Sequence, residues 1–587
     1  MDIKRVILAT ILSALVLLGF DYFMPENKTP AAIQGKPGAQ QTVSSVTPPQ
    51  AALSPLAGSS AESDDSSSPS RLPIDAVDVS GSVNLRGARL DDLVLRDYHE
   101  TVKQDSPLVR VLEERGGKEP NYIEFGWSGS PGQNIRLPDA HSLWKTSAPK
   151  LTSGTPVTLD WDNGAGLTFE LELSVDRDYM FAVTQRVRNA TGREVSLVPY
   201  SRVVRGYTPV ETGGMLVHEG PISVIGGRLA EESYKSLREG STAPNYVSWT
   251  KSARGGWAGI TDKYWLAAVI PDQAADVTGT YGFDTPDGAY QVGFAREKPL
   301  LIAPDGTGET VDHVFAGAKE VRLLERYQHE LNIPDFWKAV DFGWFAFLTR
   351  PVFFVLDWLY QQLGSFALAL LAFTLIVKAL FFPLASKGFR AAAAMREVAP
   401  KIQAIRERYK DNPVEMNQKV MALYREEGVS PASGCLPLLI QAPVFWCLYK
   451  DLYVTIEMRH APFVGWIHDL SAPDPTNILN LFGLIPFDPT HISTVLWLGA
   501  WPIIYGLTIW LMQRSNPAAT DPVQKQVFMM MPVIFTMFMA RQPVGLVIYY
   551  CWNNLLTIGQ QALIKRAHAN GKKKPKTTIL PPLKGKG

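Results

Sequence analysis

Cysteine is scarce: three residues in 587, Cys435, Cys447 and Cys551. All three fall in apolar C-terminal stretches, so no disulfide framework is expected. Their dispersal also argues against a zinc site, which needs ligands at short spacings. Acidic residues run out before the chain does. The last is Asp521, and only bases follow it, so a formal net charge of zero conceals a segregation of sign. Familiar catalytic signatures are missing as well. No Gly-Lys precedes Ser or Thr, which excludes a P-loop, and H-E-x-x-H, G-x-S-x-G and G-x-G-x-x-G are absent. No enzymatic activity, cofactor or metal is expected.

What the chain has instead is apolar length, unevenly placed. Lys4 and Arg5 precede an apolar run from Val6 to Phe20 with no small-x-small site directly after it. Residues 1–24 therefore read as a retained transmembrane anchor, with a cleaved signal peptide as the alternative. Residues 25–73, rich in Pro, Ser, Ala and Gln, cannot bury enough apolar surface to fold and read as a disordered linker. From 74 to 333 the pattern turns to period two. In "LTFELELSV", Leu167, Phe169, Leu171, Leu173 and Val175 share a face, and "YMFAVTQRV" alternates again after the turn "DRD". Many such runs between Gly- and Pro-rich turns predict a large antiparallel β-sandwich. Residues 334–362 mix Trp and Phe with Lys338, Asp341, Arg350 and Asp357, too many charges for a span. They predict an interfacial amphipathic helix, or else a helix packed on the sandwich.

Five further transmembrane segments are expected, at 363–384, 435–456, 491–512, 526–540 and 544–564. The apolar part of 526–540 is only Val527 to Ala540, about 21 Å of helix against a hydrocarbon core of about 30 Å. A span that short implies local thinning of the bilayer. Nine Lys/Arg lie in 385–434, one in 457–490 and eight in the tail 565–587. The first and third regions, with the short loop 513–525, are thus cytoplasmic, 457–490 is a periplasmic loop, and both termini face inward. Within 385–434, Ile402, Ile405 and Tyr409 line one helix and Met416, Val420 and Leu423 another, joined at Asp411-Asn412-Pro413. The fold class is a multi-domain membrane protein. It has an α-helical polytopic core of five spans, an N-terminal anchor, a large β-sandwich outside the cytoplasm and a cytoplasmic helical hairpin.

Polar residues inside the spans carry the functional signal. A lysine at the centre of a span costs roughly 2.5–3.5 kcal/mol. Lys378 lies cytoplasmic of its helix midpoint and has two readings: a side chain snorkelling to the headgroups, or one facing a wet cavity. Thr374, one turn earlier, shares its face. Gln441 interrupts the next span. In the last span Tyr550, Asn553, Thr557 and Gln560 fall at i, i+3, i+7 and i+10, a single polar stripe. Interhelical hydrogen bonding alone accounts for one such residue; a stripe facing a helix with a lysine points to a hydrated cavity. The hairpin is either a passive connector or a docking platform. The tail suits anionic lipid and ribosomal RNA phosphates equally.

Together, "FTLIVKALFFPLA", "PKIQAIRERY", "GCLPLLIQAPVFWCLY", "APFVGWIHDLSAPDP", "MPVIFTMF" and "GLVIYYCWNNLLTIGQQ" resemble the YidC/Oxa/Alb membrane protein insertases. A β-domain after the first span resembles the Gram-negative form. The resemblance implies a galactose-mutarotase-like sandwich and five core spans around a hydrophilic groove open to cytoplasm and lipid. The family's groove charge falls on Lys378, where many members carry arginine; lysine keeps the charge and loses the planar fork. Thr374 and Tyr550 match positions that meet substrate in the family. The groove set is then Lys378, Thr374, Gln441, Tyr550, Asn553, Thr557 and Gln560. Implied partners are nascent membrane proteins, the Sec translocon with its accessory subunits, and membrane lipid. The ribosome and the signal recognition particle receptor are partners through the hairpin and tail. The implied location is the bacterial inner membrane. Two rivals stand beside this reading: a secondary transporter, for which no inverted repeat is found, and a periplasmic carbohydrate-binding or assembly protein with a passive anchor.

Overall fold

The computed structural model describes residues 71–103, 105–130, 133–210, 217–242, 246–428, 436–483, 485, 498–515 and 522–571. The expected anchor at 1–24, nearly all of the linker, the start of the span at 491–512 and most of the basic tail lie outside these.

Two sheets face each other, of eleven and nine strands. In the larger, strand Val195–Arg205 is bordered by Asn121–Gly129 and Ala289–Arg296; in the smaller, Met180–Asn189 lies between Leu167–Val175 and Thr307–Ala318. Pairing is antiparallel except where Ile74 runs beside Leu151. Alternation fixes the register. Leu167, Phe169, Leu171, Leu173 and Val175 are all buried, and Val183 sits opposite Leu173. A one-residue slip would turn that whole set to solvent. In the core Trp127 meets Phe169 edge to face, centroids 5.0 Å apart, and Trp161 packs tilted against the same ring at 5.7 Å. A short helix, α1 (Tyr234–Gly240), is N-capped by Ser233, whose hydroxyl accepts from Ser236 N.

Helix α2 (Val321–Glu330) lies on the sandwich, with Tyr327 edge-on to Phe315. The amphipathic helix expected at 334–362 is helical in its second part. Phe336 to Ala339 form one 3₁₀ turn, and Phe336, Ala339, Val340 and Phe342 are buried in the sandwich core. Helix α3 begins at Ala346 and runs to Leu363. Its charges turn inward, Arg350 to Glu325 and Asp357 to Arg322, while Phe347, Trp358 and Leu363 are exposed. Apolar groups outside and paired charges inside suit a surface that meets lipid.

Helices α4 (Phe366–Leu380) and α5 (Phe382–Arg408) meet at a 63° bend. The single span expected at 363–384 is therefore interrupted. Pro383 explains it: the ring offers no N–H to Ala379 O and clashes with that carbonyl. Among the described residues no single helix is long and apolar enough to cross a membrane by itself; this bent pair is. Helix α6 (Pro413–Glu426) folds back on α5, burying Val398, Ile402, Val420 and Leu423 together. Then come α7 (Leu436–Val454), α8 (Ala500–Ser515), α9 (Pro522–Met539) and α10 (Val544–Gly571). At 18 residues, about 27 Å, α9 is longer than the 21 Å expected from its apolar run, because Gln524, Lys525 and Gln526 continue the helix in polar sequence. The apolar stretch itself is no longer than the sequence indicates, so the extension leaves the mismatch with the bilayer as it was.

Helices α3, α4, α7, α8 and α10 share one apolar core around Phe373, Leu448, Leu452, Ile509 and Val547. Gly506 allows close approach of α8 and α9: a Cβ there would lie 2.1 Å from Thr536 Oγ1. Phe353, Val454 and Ile456 belong instead to the sandwich core, so the two halves of the chain are packed, not merely tethered. Polar ties add to this: Val321 N donates to Glu457 Oε1 at 2.8 Å, and Lys450 pairs with Asp341 at 3.2 Å.

Candidate functional site

The last turn of α4 presents Lys378 to α10. Its Nζ donates to Thr557 Oγ1 at 2.8 Å, and that hydroxyl donates onward to Asn553 O at 2.7 Å. Gln560 Nε2 reaches back to Lys378 O at 3.4 Å. About two turns earlier on α4, Leu371 O accepts from Trp552 Nε1 at 3.3 Å. Two helices are thus laced by donors and acceptors on otherwise apolar faces. The placement of Lys378 in a helix C-terminal turn also sets its charge beside unsatisfied carbonyls, a favourable position.

No carboxylate pairs with Lys378 among the described residues. Its one direct side-chain partner there is a hydroxyl, which cannot neutralise it. Asn553, one turn before Thr557 on α10 and buried, leaves Oδ1 without a hydrogen-bond partner. An unmatched cation and an unmatched amide oxygen in one cluster would cost several kcal/mol in hydrocarbon. Water or a polar chain entering the cluster would remove that cost.

The other expected residues divide. Gln441 on α7 donates to the hydroxyl of Tyr549, the neighbour of Tyr550. Tyr550 instead packs its ring on Phe445, Tyr505 and Tyr549, with centroids 5.5, 5.6 and 5.2 Å away. Thr374 is buried and its hydroxyl donates to Leu370 O at 2.7 Å, so it is satisfied within its own helix and does not bond Lys378. The structure brings together Lys378, Asn553, Thr557 and Gln560. Gln441 and Tyr550 lie one level away, and Thr374 is turned into the packing.

Four contributors escaped sequence reasoning: Tyr549, Trp552, Asn554 and Thr508. Asn554 Nδ2 donates to Thr508 Oγ1 at 2.9 Å, joining α10 to α8. The signal was there in the doubled polar pairs Tyr549-Tyr550 and Asn553-Asn554. Adjacent residues point about 100° apart on a helix, so the two members of each pair meet different neighbours: Tyr549 meets Gln441 and Tyr550 meets Phe445 and Tyr505. Among the described residues no group of three or more His, Cys, Asp or Glu could hold a metal.

Comparison with known proteins supplies the context. Residues 358–573 match the family described as 60Kd inner membrane protein, and residues 71–355 match the YidC periplasmic domain. A "Membrane protein insertase YidC" of Granulibacter bethesdensis is 53% identical over 96% of this chain and 98% of its own length. The protein of the same description from Acidiphilium cryptum is 48% identical over 84% of each. Among solved structures, an active YidC insertase resolved with its first transmembrane domain aligns over 85% of this chain and 92% of its own. Its TM-score is 0.36 and its identity 17%. A putative aldose 1-epimerase from Escherichia coli aligns over 42% of this chain and 99% of its own, with a TM-score of 0.27 and 8% identity.

Proposed function

The chain belongs to the YidC family of membrane protein insertases, an inner-membrane family with a periplasmic domain, and from that membership we propose that Lys378 marks a hydrated groove through which polar segments of nascent membrane proteins pass. The observation that carries this reading is an ammonium between two apolar helices with a threonine hydroxyl and, among the described residues, no carboxylate against it.

Insertion follows from differential solvation. A client arrives with its apolar segment against the exposed faces of α4 and α9, where Leu375, Ile376, Met529 and Val533 point outward. Its short polar tail enters beside Lys378, drawn there when acidic. Thr557, Asn553, Gln560 and Gln441 exchange hydrogen bonds with it and replace part of the lost water, which lowers the cost of crossing. The apolar segment then passes into lipid. Burying some twenty apolar residues yields tens of kcal/mol at about 25 cal/mol per Å², so no nucleotide is consumed. Bulk polar domains require the powered Sec translocon as partner. The cytoplasmic pair α5–α6 and the basic tail are the docking elements for ribosome, signal recognition particle receptor or anionic lipid. The topology is six spans with both termini cytoplasmic.

Site-specific crosslinkers at Gln441, Tyr550 and Thr557, with Leu375 as the lipid-facing control, test the path during translation of a small membrane protein with an acidic tail. Adducts at all three positions that form only while the nascent chain is short of release support it. Adducts confined to the lipid-facing Leu375 would refute a polar route.

A further inference from the structure

A cavity of about 370 Å³ lies where the β-domain meets the chain leaving α7. Asp97, His99 and Lys103 line it from the end of strand Arg89–His99 and the turn beyond; Arg459, His460 and His468 line it from the loop after α7. Three of its donor side chains are uncommitted. The side chains of Lys103, His460 and His468 make no hydrogen bond or ion pair with any described residue. Arg459 gives Nη2 to His99 O at 2.7 Å and Glu100 O at 3.0 Å, so its guanidinium is held in place by carbonyls and not neutralised by a carboxylate. The acidic groups nearby are Asp97 on the wall, and Glu100 and Asp469, whose charges bear on Arg459. His460 has φ +58°, a left-handed conformation that a non-glycine residue holds only under constraint from its surroundings.

Depth along the molecule points to the ligand. Helix α7 belongs to the membrane core and ends at Val454, five residues before Arg459. The loop that supplies His460 and His468 also exposes Val464 and Trp466, 78% and 44% accessible. A tryptophan and a large aliphatic side chain beyond a helix end are the pattern of the lipid headgroup layer. Free cationic and imidazole donors at that depth match a phosphate oxyanion in charge and in hydrogen-bonding sense.

We propose that this cavity is a phosphate-binding site, accepting the phosphodiester headgroup of an anionic lipid or free phosphate through Lys103, Arg459, His460 and His468. It is separate from the lysine cluster and does not depend on the insertion mechanism. The test uses the full chain in two settings: retention of phosphatidylglycerol over phosphatidylcholine from mixed vesicles, read by mass spectrometry, and calorimetric titration with inorganic phosphate. The variants are Lys103→Ala/His468→Ala, both exposed, and His460→Gly, which removes an imidazole while relaxing its backbone. We expect both variants to lower phosphatidylglycerol retention roughly tenfold, about 1.4 kcal/mol. Loss of inorganic phosphate binding, with lipid retention unchanged, supports the site with free phosphate as its ligand. Equal behaviour of wild type and both variants toward both probes overturns it.

Discussion

Arg202 and Lys378 are cations on either side of the same molecule, and they are treated in opposite ways. Arg202, in the sandwich, is 1% exposed and donates twice to Glu124 Oε2, at 3.0 and 2.8 Å, and once to Gln291 Oε1 at 2.9 Å. Its charge is matched and its donors are used. Lys378, in the helical half, has a hydroxyl and, among the described residues, no carboxylate against it. One cation is part of the scaffold; under the proposed function the other keeps its field available to a client. The contrast is between a cation whose charge is matched inside the fold and one whose charge is not.

This contrast sets the order of effects. Arg202→Met should be the most damaging to stability, because it leaves Glu124 buried without its cation; we expect a loss of about 3–5 kcal/mol in thermal or denaturant unfolding. Lys378→Met strands no partner charge and gives up only its hydrogen bond to Thr557, so unfolding should shift by no more than about 1 kcal/mol, yet insertion of acidic-tailed clients should fall about tenfold, roughly 1.4 kcal/mol. An equal reduction for neutral-tailed clients would end the steering argument and make Lys378 a packing residue like any other. Lys319 offers an intermediate case. Burial pushes its ammonium down to about 8, against the pull of Asp262, Asp341, Glu219 and Glu231. The folded state therefore holds fewer protons than the unfolded chain, and stability should rise as pH climbs from about 8 to the unfolded lysine value of about 10.5. Parallel unfolding of Lys319→Met, in which that rise is absent, isolates the contribution. The smallest effect is Thr557→Val, about 1 kcal/mol for one interhelical hydrogen bond, readable as a small drop in unfolding midpoint with the α4–α10 contact otherwise intact.

Much of the sandwich was legible because a strand writes its exposure into alternate letters. Leu167 to Val175 needed nothing from the rest of the chain to declare a face. The helical half was legible in content and less so in geometry. Hydropathy reads straight through Phe381-Phe382-Pro383, since all three are apolar, while the backbone breaks there for want of an amide hydrogen. The polar stripe on α10 could be counted from spacing. Which of Tyr549 and Tyr550 meets Gln441 could not, because that depends on how α10 is rotated against α7. Thr374 shows the limit from the other side: sharing a face with Lys378 places its Cβ, not its hydroxyl, and a carbonyl one turn back was the nearer acceptor.

The bend at Phe381 has a mechanical corollary. A single residue separates the helix that carries Lys378 from α5, a rod of 27 residues and about 40 Å. A swing of about 10° at that pivot moves the far end of the rod by roughly 7 Å. The arm and the helix bearing Lys378 meet at that one residue, so on the proposed reading a partner gripping the arm would act one joint away from the face where a client is first felt.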